Sequence, residues 1–289
     1  MEGSGGDKGL TGERIPVSSP MHARTDTPND PDVARLQSRL PALLSTIAGM
    51  VDVISFLSLG RLFTAHATGN LVVIAALIVR GGAPNLAQIL VVPVFALAVG
   101  GVWLIAKTSG RRGPALARPL LLIQFLLLTC VLTVSVAYDP STNPHGLIAG
   151  TAAMIAVTAM ACQFALLRLA LPEAPSTGVM TGNLNNTVLS LLDALSRDPL
   201  TEDAGERLKR TLKVLVGFFI GCMAGAAGVS LLGSGSWSLP VVLAGTAVSI
   251  PSRARSGSVT PGDNDESHYA GDKRINSARD QSRSAPDKP

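Results

Sequence analysis

The chain has 289 residues, of which 47% are hydrophobic and 15% charged, with a formal net charge of +4 and a mean hydropathy of +0.36. Soluble globular chains carry about 25% charged residues, and here more than half of the charged side chains lie in the tails 1–39 and 251–289. The middle region cannot be the exterior of a water-soluble domain, and its basic residues sit in short loops between apolar runs rather than on one folded face, which excludes a nucleic-acid partner.

The N-terminal stretch 1–39 is polar, rich in Gly, Ser, Pro and Asp, and reads as a disordered tail. It lacks the apolar core of a signal peptide, so the first apolar segment is expected to direct insertion. A helix crossing a ~30 Å hydrocarbon core needs about 20 apolar residues, because every backbone amide must be satisfied internally. Leu40 to Gly60 meets this with one acid inside, Asp52; Leu86 to Ala106, Pro119 to Tyr138, Gly146 to Leu167 and Val214 to Leu232 meet it without a charge. Trp237 to Ile250 is a shorter sixth run. The stretch 251–289 mixes basic and acidic side chains with many serines and reads as a second disordered tail. Cys130, Cys162 and Cys222 each lie in an apolar run, where a thiol behaves as a small hydrophobe.

Two further segments resemble each other. Arg61 to Arg80 contains Thr68-Gly69-Asn70, and Pro172 to Arg197 contains Thr181-Gly182-Asn183. Each follows a long apolar run and precedes two more, which reads as a duplicated unit. The positive-inside rule separates full crossings from half crossings. If both segments cross, the sixteen flanking basic residues divide ten to six at best; if both are re-entrant, they divide fourteen to two, with only Arg61 and Arg80 outside. The expected fold is therefore an all-α polytopic membrane protein of two inverted repeats, 40–138 and 139–250. It has six spans plus two re-entrant half-helices, and both termini are cytoplasmic. As a helix, residues 70–80 rise ~16 Å, about half the hydrocarbon thickness.

A half-helix that starts at mid-membrane leaves amide groups and partial positive charge there, which suits a polar or anionic solute. Thr68 and Thr181 are expected as N-caps, Gly69 and Gly182 as points of close approach, and Asn70 and Asn183 as solute-facing groups. Asp52 should face the bundle interior, either coupling protons or binding solute, or holding the nearby Thr-Gly-Asn loop by a structural hydrogen bond. Gln163 is its neutral counterpart before the second loop, and His66 reads as a structural hydrogen-bonder. Gly217, Gly221 and Gly225 form a small-residue stripe for helix packing, with homo-oligomerisation through that face a further expectation. No catalytic, metal or cofactor motif is present, so neither an enzyme nor a bound cofactor or metal is expected.

The stretches GMVDVISFLSLGRLFTAHATGNLVV and ACQFALLRLALPEAPSTGVMTGNLNN resemble the YoaK-like family of multi-pass membrane proteins, a domain of unknown function. The resemblance covers roughly residues 42–235. It is carried by Gly49, Asp52, Ser55, Phe56, Leu59, Gly60, Phe63, Gln163, Arg168 and both Thr-Gly-Asn copies. It implies a multi-pass helical topology and supplies no activity. The leading expectation is a small channel or secondary transporter in a lipid bilayer, passing a small polar solute between the two half-helices. The alternative is a membrane interaction or assembly protein whose core is purely structural.

Overall fold

The computed structural model describes residues 31–111, 113–172, 174–178, 180–195 and 202–250, and the regular elements among them are helical. In chain order they are α1 (Pro31–Ser58), α2 (Gly69–Val79), α3 (Leu86–Thr108), α4 (Ala117–Tyr138), α5 (Leu147–Ala170), α6 (Met180–Leu195), α7 (Glu202–Leu232) and α8 (Ser238–Ser249). A 3-10 turn, Gly233–Trp237, joins the last two. Arg39–Ser58, Leu86–Thr108, Gly113–Tyr138, Leu147–Ala170 and Gly205–Ser249 are long and apolar enough to cross a membrane, the last being α7 and α8 together. The protein is an integral, multi-pass membrane protein whose outer helices meet lipid.

α1 and α5 form the interior. Their most apolar windows are 67% and 56% buried, against 11% for α3, which lies at the periphery. The buried face of α5 carries Ala149, Ala152, Ala153, Ala156 and Ala159. Lipid tails are as apolar as leucine, so helix association in a bilayer rests on close van der Waals contact, and small side chains permit it. α1 packs on α7 and α8 as α5 packs on α3 and α4; α2 lies on α3 as α6 lies on α7; and α1 meets α5 while α4 meets α8.

Side-chain contacts give the helix directions. A Cβ on Gly217 would lie 2.8 Å from the Ala42 carbonyl, one on Gly225 would lie 2.9 Å from that of Met50, and Gly221 faces Thr46 between them. Residue numbers rise together, so α1 and α7 run parallel. Gly150 meets Ala87 and the Phe164 ring meets Phe95, so α3 and α5 are parallel as well. Phe125 packs on Gly245 while Asp139 bonds Ser234, which makes α4 and α8 antiparallel. At one end of the bundle the Gln88 side chain donates to the Gly60 carbonyl at 3.2 Å, and Gly60 abuts the Pro144 carbonyl. The chain thus leaves α1 and enters α3 at the same end, with α2 between.

Some expectations change. The glycine stripe of α7 is occupied within the chain by α1, so it offers no face to a second copy. α1 begins at Pro31, inside the stretch assigned to the tail; proline suits a first helical position, where a missing N–H is harmless. The remaining tail assignments, 1–30 and 251–289, lie outside the described residues. α6 has 16 residues against 11 for α2, so the helices of the two Thr-Gly-Asn segments are unequal in length.

Candidate functional site

Asp52 projects from the buried face of α1 and is 3% exposed. A carboxylate removed from water needs donors at both oxygens, or the lost hydration is not replaced. Both oxygens have them. Oδ1 accepts from the amides of Thr64 at 2.8 Å and Ala65 at 2.6 Å, with the Thr64 hydroxyl at 3.4 Å. Oδ2 lies 2.6 Å from Nδ1 of His66. The loop between α1 and α2 therefore folds back onto its own helix. Its far side touches α7, where the His66 ring meets the edge of Phe218 with centroids 5.2 Å apart. The His66 side chain is 27% exposed against 4% for Asp52, so the imidazole is the reachable member of the pair.

Asn70 closes the same loop. Its Nδ2 donates to the Phe63 carbonyl at 2.7 Å and the Ala67 carbonyl at 2.9 Å, and its Oδ1 accepts from the Phe63 amide at 2.9 Å. Gly69 makes room for this turn, because a Cβ there would lie 3.2 Å from the Phe63 ring, which is stacked on Phe56. Thr68 stands at the N-cap of α2 yet makes no side-chain cap bond, and it is exposed. The first amides of α2 are taken instead by turn bonds: Gly69 to His66, Asn70 to Ala67 and Leu71 to Thr68. This corrects the expectation of a threonine cap beside free amides.

The second loop repeats part of this plan. Asn183 is buried and its Nδ2 donates to the Ser176 carbonyl at 2.7 Å, again seven positions upstream. Gln163, fully buried on α5, donates to the Thr177 hydroxyl at 3.4 Å as Asp52 accepts from Thr64. Thr64 and Thr177 are equivalent positions of the two copies, each four before the threonine of its Thr-Gly-Asn. Gln163 ties three helices, donating to the Leu44 carbonyl of α1 at 2.9 Å and accepting from Gln124 of α4 at 2.7 Å. The other amide atom of Gln124, Oε1, is buried with no partner among the described residues. α6 begins at Met180, so Thr181 lies inside its first turn rather than at the cap, and is exposed; Gly182 is half-buried.

Asp52, Gly69 and Asn70 thus meet in one loop that Thr68 flanks from outside, and Gln163 and Asn183 hold the other. Arg168 is exposed at the end of α5, and Asp52 pairs with His66. Thr64, Thr177 and Gln124 belong to these networks and were not singled out from the sequence. The two threonines had a signal: the repeated motif is Thr-x3-Thr-Gly-Asn in both copies. Gln124 had none, being one amide in a leucine-rich run. Among the described residues no three His, Cys, Asp or Glu side chains converge as a metal site.

A family model described as "Protein of unknown function (DUF1275)" matches residues 40–250. No curated protein and no solved structure matches the chain.

Proposed function

The chain belongs to the DUF1275 family, and we propose that it is a YoaK-like, non-enzymatic small channel or secondary transporter for a polar or anionic solute. It is built as two inverted repeats with six crossings and two re-entrant half-helices, and both termini face the cytoplasm. The helix directions support this reading: α1 and its counterpart α5 point oppositely if α4 and α5 are an antiparallel hairpin. α2 then dips in from the outer face and α6 from the inner one. The solute path runs beside Asp52, Asn70, Gln163 and Asn183, with Thr68, Gly69, Thr181 and Gly182 at the helix starts.

One observation carries the functional half of the proposal, the Asp52–His66 contact inside a bundle of spanning helices. Ionisable groups at membrane depth are costly and mark ion, proton or substrate routes more often than scaffolding. The imidazole of His66 lies against the buried carboxylate and remains partly exposed, so the pair offers the groups from which a proton route in a transport cycle is built.

The alternative, an interaction or assembly protein with a structural core, is favoured by a different observation. Both Asp52 oxygens and both polar atoms of Asn70 are already bonded within the chain. Flux separates the two. The full chain in proteoliposomes is screened against small polar and anionic solutes, with and without an imposed pH gradient. Gradient-driven uptake of one solute class above protein-free vesicles is expected. Protein-free levels across the panel would leave the structural role in its place.

A further inference from the structure

A cleft of about 900 Å³ opens where α1 ends and α3 and the α4–α5 loop converge, with one side of α2 as its wall. Arg61, Arg80 and His145 line it together with the amide side chains of Asn85 and Gln88. No acidic residue lines it, and neither arginine has an ion-pair partner among the described residues. The α2 wall is apolar, made by Val72, Val73, Ala76 and Leu77. Two guanidinium groups on one concave surface repel one another unless an anion lies between them.

Two further observations point to a ligand rather than to the fold. Arg61 has φ +57°, the left-handed region that a residue with a Cβ enters at a cost and glycine enters freely. A side chain is kept where the backbone favours none, and such strain collects at binding positions. The equivalent positions of the second copy hold Ala174 and Asp193, so the repeated architecture does not itself call for a guanidinium at either place.

We propose that this cleft binds a phosphate-bearing ligand of net negative charge, the chemistry shared by an anionic phospholipid headgroup and free phosphate and lacking in a zwitterionic headgroup. Arg61 and Arg80 hold the phosphate, because guanidinium matches its oxygens in a fork of N–H donors. The apolar side of α2 accepts an acyl chain where the source is a lipid. The site is independent of conduction and stands or falls without a flux measurement.

The test uses the full chain in neutral detergent and reads thermal stability with three probes: short-chain phosphatidylglycerol, short-chain phosphatidylcholine and inorganic phosphate. A ligand that binds only the folded state raises Tm by mass action. Phosphatidylglycerol is expected to raise Tm by about 5 °C at saturation, and phosphatidylcholine to leave it unchanged. The double variant Arg61→Gly with Arg80→Gln should lose the shift while still folding, since glycine relieves the backbone at 61. Arg80→Gln alone, and wild type at high salt, should each reduce the shift, giving readouts that do not depend on the double variant. A shift with phosphate as large as with phosphatidylglycerol assigns the site to the free anion; a shift with phosphatidylglycerol alone assigns it to lipid. An undiminished shift in the double variant, an equal shift with phosphatidylcholine, or none with either anion overturns the proposal.

Discussion

Asn70 and Asn183, the asparagines of the two Thr-Gly-Asn copies, perform the same act: each side-chain amide reaches back seven positions to a carbonyl of its own loop, Phe63 in one case and Ser176 in the other. The two loops are unequal in strength. Asn70 adds bonds to the Phe63 amide and the Ala67 carbonyl. Removing a buried partner costs more than the bond itself, because the group left behind is desolvated. Asn70→Ala is expected to destabilise by about 3 kcal/mol and Asn183→Ala by about 1 kcal/mol. Thermal unfolding in detergent reads the difference; equal losses would mean that the extra bonds of Asn70 contribute nothing. Asn70→Asp is the sharper variant, since it sets a carboxylate against two carbonyls.

The α1–α7 seam gives a second expectation. Gly221 faces the backbone of Thr46 and cannot take a methyl group unless the helices part. Overpacking of this kind costs about 1–3 kcal/mol, so Gly221→Ala should fall near the upper end, above Gly217→Ala and Gly225→Ala. Gly101 is the control. It lies in the exposed face of α3 with open space where its Cβ would be, and alanine there should stabilise by up to about 1 kcal/mol through helix propensity. A Gly221→Ala protein as stable as wild type would mean that the two helices do not meet at this spacing.

Asp139, in the loop after α4, accepts from Ser141 at 2.5 Å and from Ser234 of the turn before α8. These two hydroxyls hold its carboxyl below the ordinary carboxylate range. The folded state therefore favours the charged form. Its contribution is fully present above the unfolded value and is lost as pH falls through the folded one. Lowering pH from neutral into the acid range should shrink the Tm gap between wild type and Asp139→Asn, with Ser234→Ala behaving as Asp139→Asn does. A gap that is constant or widens towards acid contradicts the sign. Because the carboxyl is exposed, the effect is modest.

Topology is tested by single cysteines in a background lacking Cys130, Cys162 and Cys222. Arg61 and Ala83 flank α2, and both ends lie at the face where Gln88 meets Gly60. Arg61→Cys, Ala83→Cys and Asn143→Cys should all react with a membrane-impermeant reagent on one side, and Arg111→Cys and Pro172→Cys only from the other. Reaction of positions 61 and 83 from opposite sides would establish a full crossing by α2 and remove the mirrored arrangement.

Much of this fold can be read from the sequence because bilayer physics is strict. Apolar runs long enough to satisfy their own backbone locate α1, α3, α4, α5 and α7, and the α2 expected at 70–80 is found at Gly69–Val79. The site is less legible, for a definite reason. Capping statistics point to the threonine of Thr-Gly-Asn, but the asparagine's bond to a carbonyl seven positions upstream closes an irregular loop rather than a helical turn, so no pattern rule assigns the clasp to the asparagine. The glycine stripe announces close packing without naming its partner. Ala42, Thr46 and Met50 repeat at the same spacing on α1, but that spacing recurs on many helices. Gln124 is invisible until the fold sets it against Gln163.

Asp52 separates structure from activity most cleanly, through two substitutions. Asp52→Ala leaves the amides of Thr64 and Ala65 buried without an acceptor and deprives His66 of its partner. A loss of about 3–5 kcal/mol is expected, enough to unfold a marginal protein. Asp52→Asn retains an oxygen for the two amides and offers an N–H to Nδ1 of His66 in its accepting tautomer, so the loop stays closed at a cost of about 1 kcal/mol. What asparagine cannot do is release or take up a proton. A folded Asp52→Asn protein whose solute uptake no longer responds to an imposed pH gradient is therefore the expected result. If the variant keeps wild-type uptake and its full response to the gradient, the carboxylate holds a loop and does nothing else.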